Sequence, residues 1–587
     1  MSILIKTVRI AGFRGLENIE VELEQTTVLT GMNNTGKTSF LKALQIALGN
    51  RQFISQDDFF IKDNCCADNI TIDVLIVPVD ANGKQTDDFN EDWEVLFTTD
   101  RIRTDGIKSF FPLRTDVTFD VKKNSYKVQQ NILKSWSDFK NGDTNWFATD
   151  KGNKTRFNFD ELPFFYMDAQ RDILEDTKLR GSYLGKMLSK IEYSAEDIQA
   201  IEQQIEALNE KAVNSSDILS HIKATLKGLD SALENTSSGI ELTPFTKKIR
   251  DLNKGLTIYY GDSQDSFSME YHGMGTRSWS SLLTLKSFIG LLASNAEKES
   301  TVFFPILAIE EPEAHLHPNA QKQLYSQINS IAGQKIISTH SPYIAAVAEL
   351  DQIRNFYKDK QVCCGKVAID ALSDEDQRKI NRQVINSRGE IFFSKLIVFF
   401  EGETEEQALP IFAKHYFGKS AVEMGVDFVG VGSCNSYLPF LRFAESLNIP
   451  WLILSDAETI TVDRVKKQFG KSNSSRSESD VIVYLDDDND FEKQLIADNF
   501  QDEIKKSLAT FDVYNNEQHR QAKEPQRLLE IDQYNDNNLY EEITKKKTQF
   551  APVIAEQIIQ SGKALPPKII ELFRKIKIML HIKEEAS

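Results

Sequence analysis

The sequence predicts an α/β protein made of two successive parts, each alternating buried strands with helices. Three observations lead there. A glycine-rich loop, Gly31-Met32-Asn33-Asn34-Thr35-Gly36-Lys37-Thr38, stands between a strand and a helix. Two apolar runs, Ile306-Leu307-Ala308-Ile309 and Leu396-Ile397-Val398-Phe399-Phe400, each run straight into glutamates. With 587 residues, the chain is also too long for one hydrophobic core, so two to four domains are expected.

The elements follow in order. Ile3, Ile5, Val8 and Ile10 alternate, as do Ile19, Val21 and Leu23, and Thr27-Val28-Leu29-Thr30 follows; this period of two marks half-buried strands. After Lys37 the spacing changes to that of a helix, with Phe40, Leu41, Leu44, Ala47 and Leu48 on one face. Residues 70–130 read as further strands and turns. Ser194 with Asp197 opens a helix carrying Ile198, Ile201, Ile205, Leu208 and Ala212. After the turn Val213-Asn214-Ser215-Ser216, a second helix carries Leu219, Ile222, Leu226 and Leu229. This helical hairpin is either an ordinary packed pair or a protruding dimerisation arm.

Val302 to Ile309 reads as one buried strand and Lys335-Ile336-Ile337-Ser338 as another. Residues 370–390 turn polar and mark a boundary. A second α/β unit opens at Lys395, with further strands at 426–431, 451–455 and 481–485, all apolar enough to be parallel and covered on both faces. Residues 469–480, rich in Ser and Asn, read as a solvated loop, and 568–583 as a basic amphipathic helix. The expected organisation is therefore 1–175 and 241–375 for the first domain, 176–240 for its helical insertion, 390–560 for the second domain, and 561–587 for the terminal helix.

Composition narrows the setting. Apolar content of 41% and charged content of 27% suit a soluble globular protein. A net charge of −18 excludes an overall basic coat, though not a local basic groove. The five cysteines, Cys65, Cys66, Cys363, Cys364 and Cys434, match no zinc-ribbon or disulfide spacing, so a reducing, cytoplasmic location is expected. The opening MSILIKTVRI reads as a strand and not as a signal peptide, and no apolar run is long enough to span a membrane.

The glycine-rich loop has the GxxxxGK[ST] form. Its backbone N–H groups, including those of Asn33, Asn34 and Gly36, wrap phosphates; Lys37 reaches the outer phosphates, Thr38 ligates Mg²⁺, and Ser39 follows at the helix start. Glu310 and Glu311 complete the site: the first holds Mg²⁺, the second polarises the attacking water. Such strands more often end in Asp then Glu, so Glu310 is the longer of the two usual side chains.

On these residues the first part resembles the ABC-type ATPases of the SMC and recombination-repair group. Phe13-Arg14-Gly15 falls at the position of their phenylalanine–arginine pair, and Glu313-Ala314-His315-Leu316-His317-Pro318 resembles their dimer-contact loop. Ser338-Thr339-His340-Ser341-Pro342 resembles the switch-histidine loop, making His340 a γ-phosphate sensor. Gly273-Met274-Gly275-Thr276-Arg277-Ser278 is a loose match to the loop that contacts a partner's ATP, lacking the serine-glycine-glycine order. Gln170, beside Arg171, is the candidate nucleotide-sensing glutamine. The resemblance implies ATP as ligand and a homodimer or higher oligomer. A zinc site at His315, His317 and His340 is the competing reading, without a further ligand nearby.

In the second part, Glu401 ends a strand and Glu405 lies one turn into the next helix; Asp456 and Glu458 end another strand; Asp490 and Glu492 come later. So many acids at neighbouring strand ends repel one another unless Mg²⁺ or Mn²⁺ offsets them. Two such ions activate water and stabilise a departing 3′-oxygen, and a lysine offsets transition-state charge. Glu401-Gly402-Glu403-Thr404-Glu405 and Asp456-Ala457-Glu458 resemble the glutamate turn and DxD element of a Toprim domain, with Glu458 in place of the second Asp. The order of ATPase then Toprim is similar to the overcoming lysogenization defect (OLD) nucleases. That resemblance assigns Asp490-Phe491-Glu492 as the Asp-hydrophobic-Glu element and Lys547 as the lysine, with Lys545 and Lys546 as competitors.

The resemblance implies an ATP-regulated, metal-dependent DNA endonuclease of bacterial or phage origin, often in antiphage defence. It leaves open a defence partner such as a helicase or a reverse transcriptase with its DNA product. Lys545 to Lys547 and the series Lys568, Arg574, Lys575, Lys577 and Lys583 are the candidate phosphate-facing cations. The alternatives are an ATP-switched DNA clamp without nuclease activity and a strand-passage enzyme, for which no added domain with a DNA-attacking tyrosine is found.

Overall fold

A computed structural model describes residues 2–48, 54–81, 83–140, 145–157, 159–178, 182–183, 186–187, 194–226, 259–260, 267–369, 372–382, 389–472, 474–510 and 517–582. The chain divides into two compact units. One comprises Met1–Phe159, Ile306–Glu311 and Gln334–Ser587; the other comprises Asp160–Pro305 and Pro312–Gly333. Among the described residues, no helix is long and apolar enough to cross a membrane.

Three sheets organise the first unit. An antiparallel sheet runs through Lys151–Thr155, Ser125–Leu133, Lys108–Asp120, Asn69–Val79, Ser2–Phe13 and Leu16–Glu22 in that spatial order. Its alternating Ile70, Ile72, Val74 and Ile76 are fully buried. Asp73 lies buried among them because Arg114 on the adjacent strand meets both its oxygens, at 2.7 and 2.6 Å.

The second sheet carries the phosphate loop. Ile306–Glu310, Gln334–Ser338, Thr26–Gly31 and Ile353–Asp359 pair side by side and parallel, and Gln361–Lys366 returns antiparallel. Because the four parallel strands end at one edge, the phosphate loop, Glu310–Glu311 and Thr339–His340 all gather there. The helix Lys37–Ala47 packs behind the loop through Phe40, Leu41, Leu44 and Ala47.

The third sheet orders its strands Val426–Gly430, Leu396–Phe400, Trp451–Ser455 and Ile482–Tyr484, all parallel. The first crossover goes to one side of Leu396–Phe400 and the next to the other, so the chain end of this strand lies at a topological switch point. This sheet abuts the second one within the unit. Asn355 donates its side-chain amide to the Leu447 carbonyl at 2.9 Å. A Cβ on Gly365 would lie 2.6 Å from the Ser446 carbonyl oxygen, so this contact admits only glycine without a shift.

Several boundaries differ from the sequence reading. The strand expected from Val302 begins only at Ile306, because Pro305 has no N–H to add to a ladder. The loop expected over 469–480 is shorter: the helix Thr459–Lys471 runs into it and Glu478–Val481 makes a turn of helix at its far end. Phe469 is held in that helix by edge-on packing with Trp451, ring centres 6.1 Å apart. The terminal helix covers Pro567–Met579, and Lys583 lies outside the described residues.

In the second unit the helical hairpin comprises Ala195–Asn214 and Asp217–Leu226; Leu229 lies outside the described residues. Ser194 caps the first helix by accepting the Asp197 N–H at 3.1 Å. The segment matched to a trans-acting loop opens a long helix, Met274–Lys298, with Gly273 as its N-cap. A Cβ on Gly275 would lie 2.4 Å from the His315 carbonyl oxygen, so this helix start presses directly on the His315 loop.

Candidate active sites

The nucleotide-binding edge is built mainly from backbone. Gly31 has φ +126°, and a Cβ there would come within 2.1 Å of the Phe356 carbonyl oxygen. Gly36 has φ +95° and is the N-cap of the following helix. Asn33, Asn34 and Thr38 are exposed and Ser39 is half-buried. Lys37 is buried, its ammonium donating to the Gly31 and Met32 carbonyls at 2.7 and 2.9 Å. Arg14 is held by Asp58 at 2.9 Å.

Glu310 is buried at the end of its strand, whereas Glu311 turns outward with φ +40°. His340 Nε2 lies 4.0 Å from Glu311 Oε1. Burial, and then the charge of Lys37, hold the His340 imidazole below its usual pKa, with Glu311 opposing them. Lys37, Glu311 and His340 thus form one electrostatic group, with a neutral histidine able to offer a hydrogen bond to a phosphate oxygen. In the second unit Gln170 is exposed while Arg171 is buried, donating to the Pro312 carbonyl at 2.6 Å. His315 and His317 lie in that unit as well. The N-cap of Pro318–Asn329 is His317, whose Nδ1 accepts the Asn319 N–H at 3.3 Å.

The second site lies at the switch point of the third sheet. Glu401 follows the central strand, and Ser455 donates to its Oε1 at 3.4 Å. Burial raises the Glu401 pKa to about 7, the Glu458 charge adding to it against hydrogen bonds from Ser455 and Tyr437. Glu405, in the first turn of the helix Glu403–Phe417, is buried, which raises it to about 7 as well, Glu492 and Glu401 adding to the effect. Its carboxylate folds back toward Gly402: a Cβ on that glycine would lie 2.6 Å from Glu405 Oε2. Burial raises Asp456 to about 8, reinforced by Glu405, Glu401, Asp490 and Glu492. Asp456 Oδ1 is buried without a hydrogen-bond partner among the described residues. Glu458 is exposed at the N-cap of the next helix.

Glu492 is buried in the short helix Phe491–Ala497, its Oε1 accepting from Thr404 at 2.6 Å and facing Lys547 Nζ at 3.0 Å. Burial works against the Lys547 charge, but Glu492, Asp490 and Glu405 outweigh it and hold this ammonium above its ordinary pKa. The rival Lys545 pairs instead with Glu542 at the surface. Glu401, Glu405, Asp456, Asp490, Glu492 and Lys547 therefore share one electrostatic neighbourhood, drawn from four separate stretches of chain. Among the described residues, no group of three or more His, Cys, Asp or Glu side chains is arranged to hold a metal ion as it stands. The chemistry of the donors nevertheless fits a cation: burial and the neighbouring carboxylates raise the pKa of Glu401, Glu405 and Asp456, and one buried oxygen of Asp456 lacks a donor among the described residues.

Sequence reasoning passed over Thr404, Tyr437, Ser455 and Tyr540, all of which touch or face these acids. Thr404 had a signal, since it lies inside the glutamate turn; Tyr540 had none. The terminal helix is tied to the acidic loop through Lys568 and Asp486 at 3.1 Å, and Lys575 donates to the Ser479 carbonyl. Lys577 lies over the Tyr416 ring. Lys568, Lys575 and Lys577, like Lys545 and Lys547 above, thus already have partners within the protein.

The family model for the AAA ATPase domain matches residues 4–345, and that for the overcoming lysogenization defect protein-like TOPRIM domain matches residues 392–457. The chain belongs to the AAA ATPase domain family, in the OLD arrangement of an ATPase followed by a Toprim domain. Among its relatives is the OLD nuclease of Thermus scotoductus, 25% identical over 78% of this chain and 83% of that protein. The Old nuclease of Escherichia phage P2 is 21% identical, covering 78% of each. Endonuclease GajA of Bacillus cereus is 22% identical over 80% of this chain and 76% of that one. In this OLD-type chain, Asp490, Glu492 and Lys547 lie beyond the matched Toprim residues.

Proposed function

We propose that this OLD-family chain is a nucleotide-regulated endonuclease that hydrolyses DNA phosphodiesters with divalent cations, in antiphage defence. The observation that carries the reading is the gathering of Glu401, Glu405, Asp456, Asp490 and Glu492 at a sheet switch point, where burial, reinforced by the neighbouring carboxylates, raises the pKa of Glu401, Glu405 and Asp456. Relatives named as nucleases support it. Glu401, Glu405, Asp456, Glu458 and Glu492 are the proposed ligands of Mg²⁺ or Mn²⁺, as Thr38 and Glu310 are for the cation that accompanies ATP. The chemistry such ions supply is activation of a water and stabilisation of the departing 3′-oxygen. Lys547, which faces Glu492, is the proposed cation that offsets the negative charge developing on the phosphate. Arg14, Asn33, Asn34, Gly36, Lys37 and Ser39 hold the nucleotide, Gln170 and His340 sense it, and Glu311 orients its attacking water. A homodimer or higher oligomer belongs to the same proposal.

One observation favours a second reading, an ATP-switched DNA clamp: among the described residues, the acids are not arranged as a ready cation cage. Plasmid cleavage in Mg²⁺ and Mn²⁺, with and without ATP, separates the two. Nicking or cutting by the intact chain that is lost in Glu401→Ala supports the nuclease. ATP-dependent DNA retention without any cut supports the clamp.

A further inference from the structure

We propose that Tyr540 and Thr404 are positioning residues of the acidic site, which clamp the Asp490–Glu492 segment and leave one oxygen of Glu492 for a divalent cation. The proposal rests on the nuclease reading above. Glu492 sits on a helix of only seven residues, preceded by a loop in which Asp487 and Asp488 both have positive φ. So short a helix has little rigidity of its own. Something outside it must hold Glu492 in place.

Two contacts do so. Asp490 uses both carboxylate oxygens: Oδ1 accepts the Lys493 N–H at 2.8 Å and caps the helix, and Oδ2 accepts the Tyr540 hydroxyl at 2.6 Å. Tyr540 lies on the helix Asp536–Lys545 between Leu539 and Ile543, which are 0% and 2% exposed, so the core fixes its hydroxyl. On the other side, the buried Thr404 hydroxyl donates to Glu492 Oε1, the same oxygen that Lys547 faces. Both donors fall on Oε1, and among the described residues no hydrogen bond falls on Oε2. Thr404 also stands beside Glu405, so its bond ties the glutamate turn to the Asp-Phe-Glu segment across 88 residues of chain. A carboxylate held this way approaches a cation through one defined oxygen. Hydrogen bonds that orient metal ligands typically change metal affinity by about ten- to a hundredfold when removed.

The test uses the full chain and Mn²⁺ alone, titrated calorimetrically, with thermal unfolding in EDTA as the control. Tyr540→Phe and Thr404→Val should each weaken Mn²⁺ binding by about tenfold or more. Thr404→Ser, which keeps the hydroxyl, should bind within about twofold of the parent, and cleavage by Tyr540→Phe should recover at saturating Mn²⁺. Unchanged Mn²⁺ affinity in both Tyr540→Phe and Thr404→Val overturns the clamp, whatever happens to their melting temperatures. A parent chain that binds Mn²⁺ but cuts no DNA removes the nuclease reading, while the affinities still decide the clamp. A parent chain that binds no Mn²⁺ overturns both.

Discussion

At the phosphate loop, the cations are already held locally: Lys37 keeps its charge but donates to two carbonyls within six residues of itself, and Arg14 is paired with Asp58. At the Toprim edge, charges of one sign come together from distant segments, and Lys547 is the cation facing them. The first site is a backbone shape. The second is an electrostatic imbalance held in place by burial. The first site is therefore stable in itself, whereas the buried acids of the second keep raised pKa values unless a positive charge offsets them.

The largest expected effect breaks the comparison into its halves. Glu401→Ala should lower DNA cleavage by about a thousandfold or more while ATP hydrolysis persists. Lys37→Ala should abolish ATP binding, measured with a fluorescent nucleotide, and leave Mn²⁺ binding at the acids intact. Loss of both activities in either variant would mean that the sites are not separable.

Glycine substitutions sharpen the contrast. Gly31→Ala sets a Cβ against the rigid Phe356 carbonyl at a φ of +126°, so it should destabilise the fold by about 3 kcal/mol, read from denaturant unfolding. Gly402→Ala meets only the flexible end of Glu405, and should move that carboxylate instead of the backbone. Cleavage should decline by about tenfold with an unchanged melting temperature.

The imbalance also predicts a pH dependence. Asp456 has a folded pKa of about 8 against an ordinary 3.8, so between these values the native state keeps a proton that the unfolded chain has released. Its contribution to stability in EDTA should therefore fall as pH rises from about 4 to about 8, and stay low above that. Asp456→Asn should remove this dependence and raise the melting temperature in EDTA above pH 8 by about 3 °C. A melting temperature that drops instead would show that the acids are not in electrostatic conflict. The smallest effect should come from Lys545→Ala, whose surface pair with Glu542 leaves cleavage and melting unchanged, whereas Lys547→Ala should lower cleavage by about a hundredfold.

The two sites were legible to different degrees. A phosphate loop is contiguous, because a single turn of backbone makes it, so Gly31 to Thr38 could be read directly. Glu401 and Glu405 were legible for a related reason, both lying in one turn at a strand end. The resemblance favours Lys547 over Lys545 and Lys546, but three adjacent lysines have the same composition whichever way they point, and the contact with Glu492 is what shows Lys547 facing the acids. Tyr540 carried no signal at all: its partner Asp490 is 50 residues away, and no periodicity records such a pairing. The early strand start at Val302 was misread because apolarity marks burial, whereas a ladder also needs the N–H that Pro305 lacks.

By itself, the sequence determined the α/β class, the nucleotide loop and the presence of strand-end acids, because each depends on residues close together in the chain, where sterics and local hydrogen bonding act. Only the tertiary structure decided which acids meet, which lysine faces them and which hydroxyls hold them. Those outcomes depend on how the parallel strands order themselves and on where the helices after residue 500 return, and such distances through space are set by packing of the whole unit.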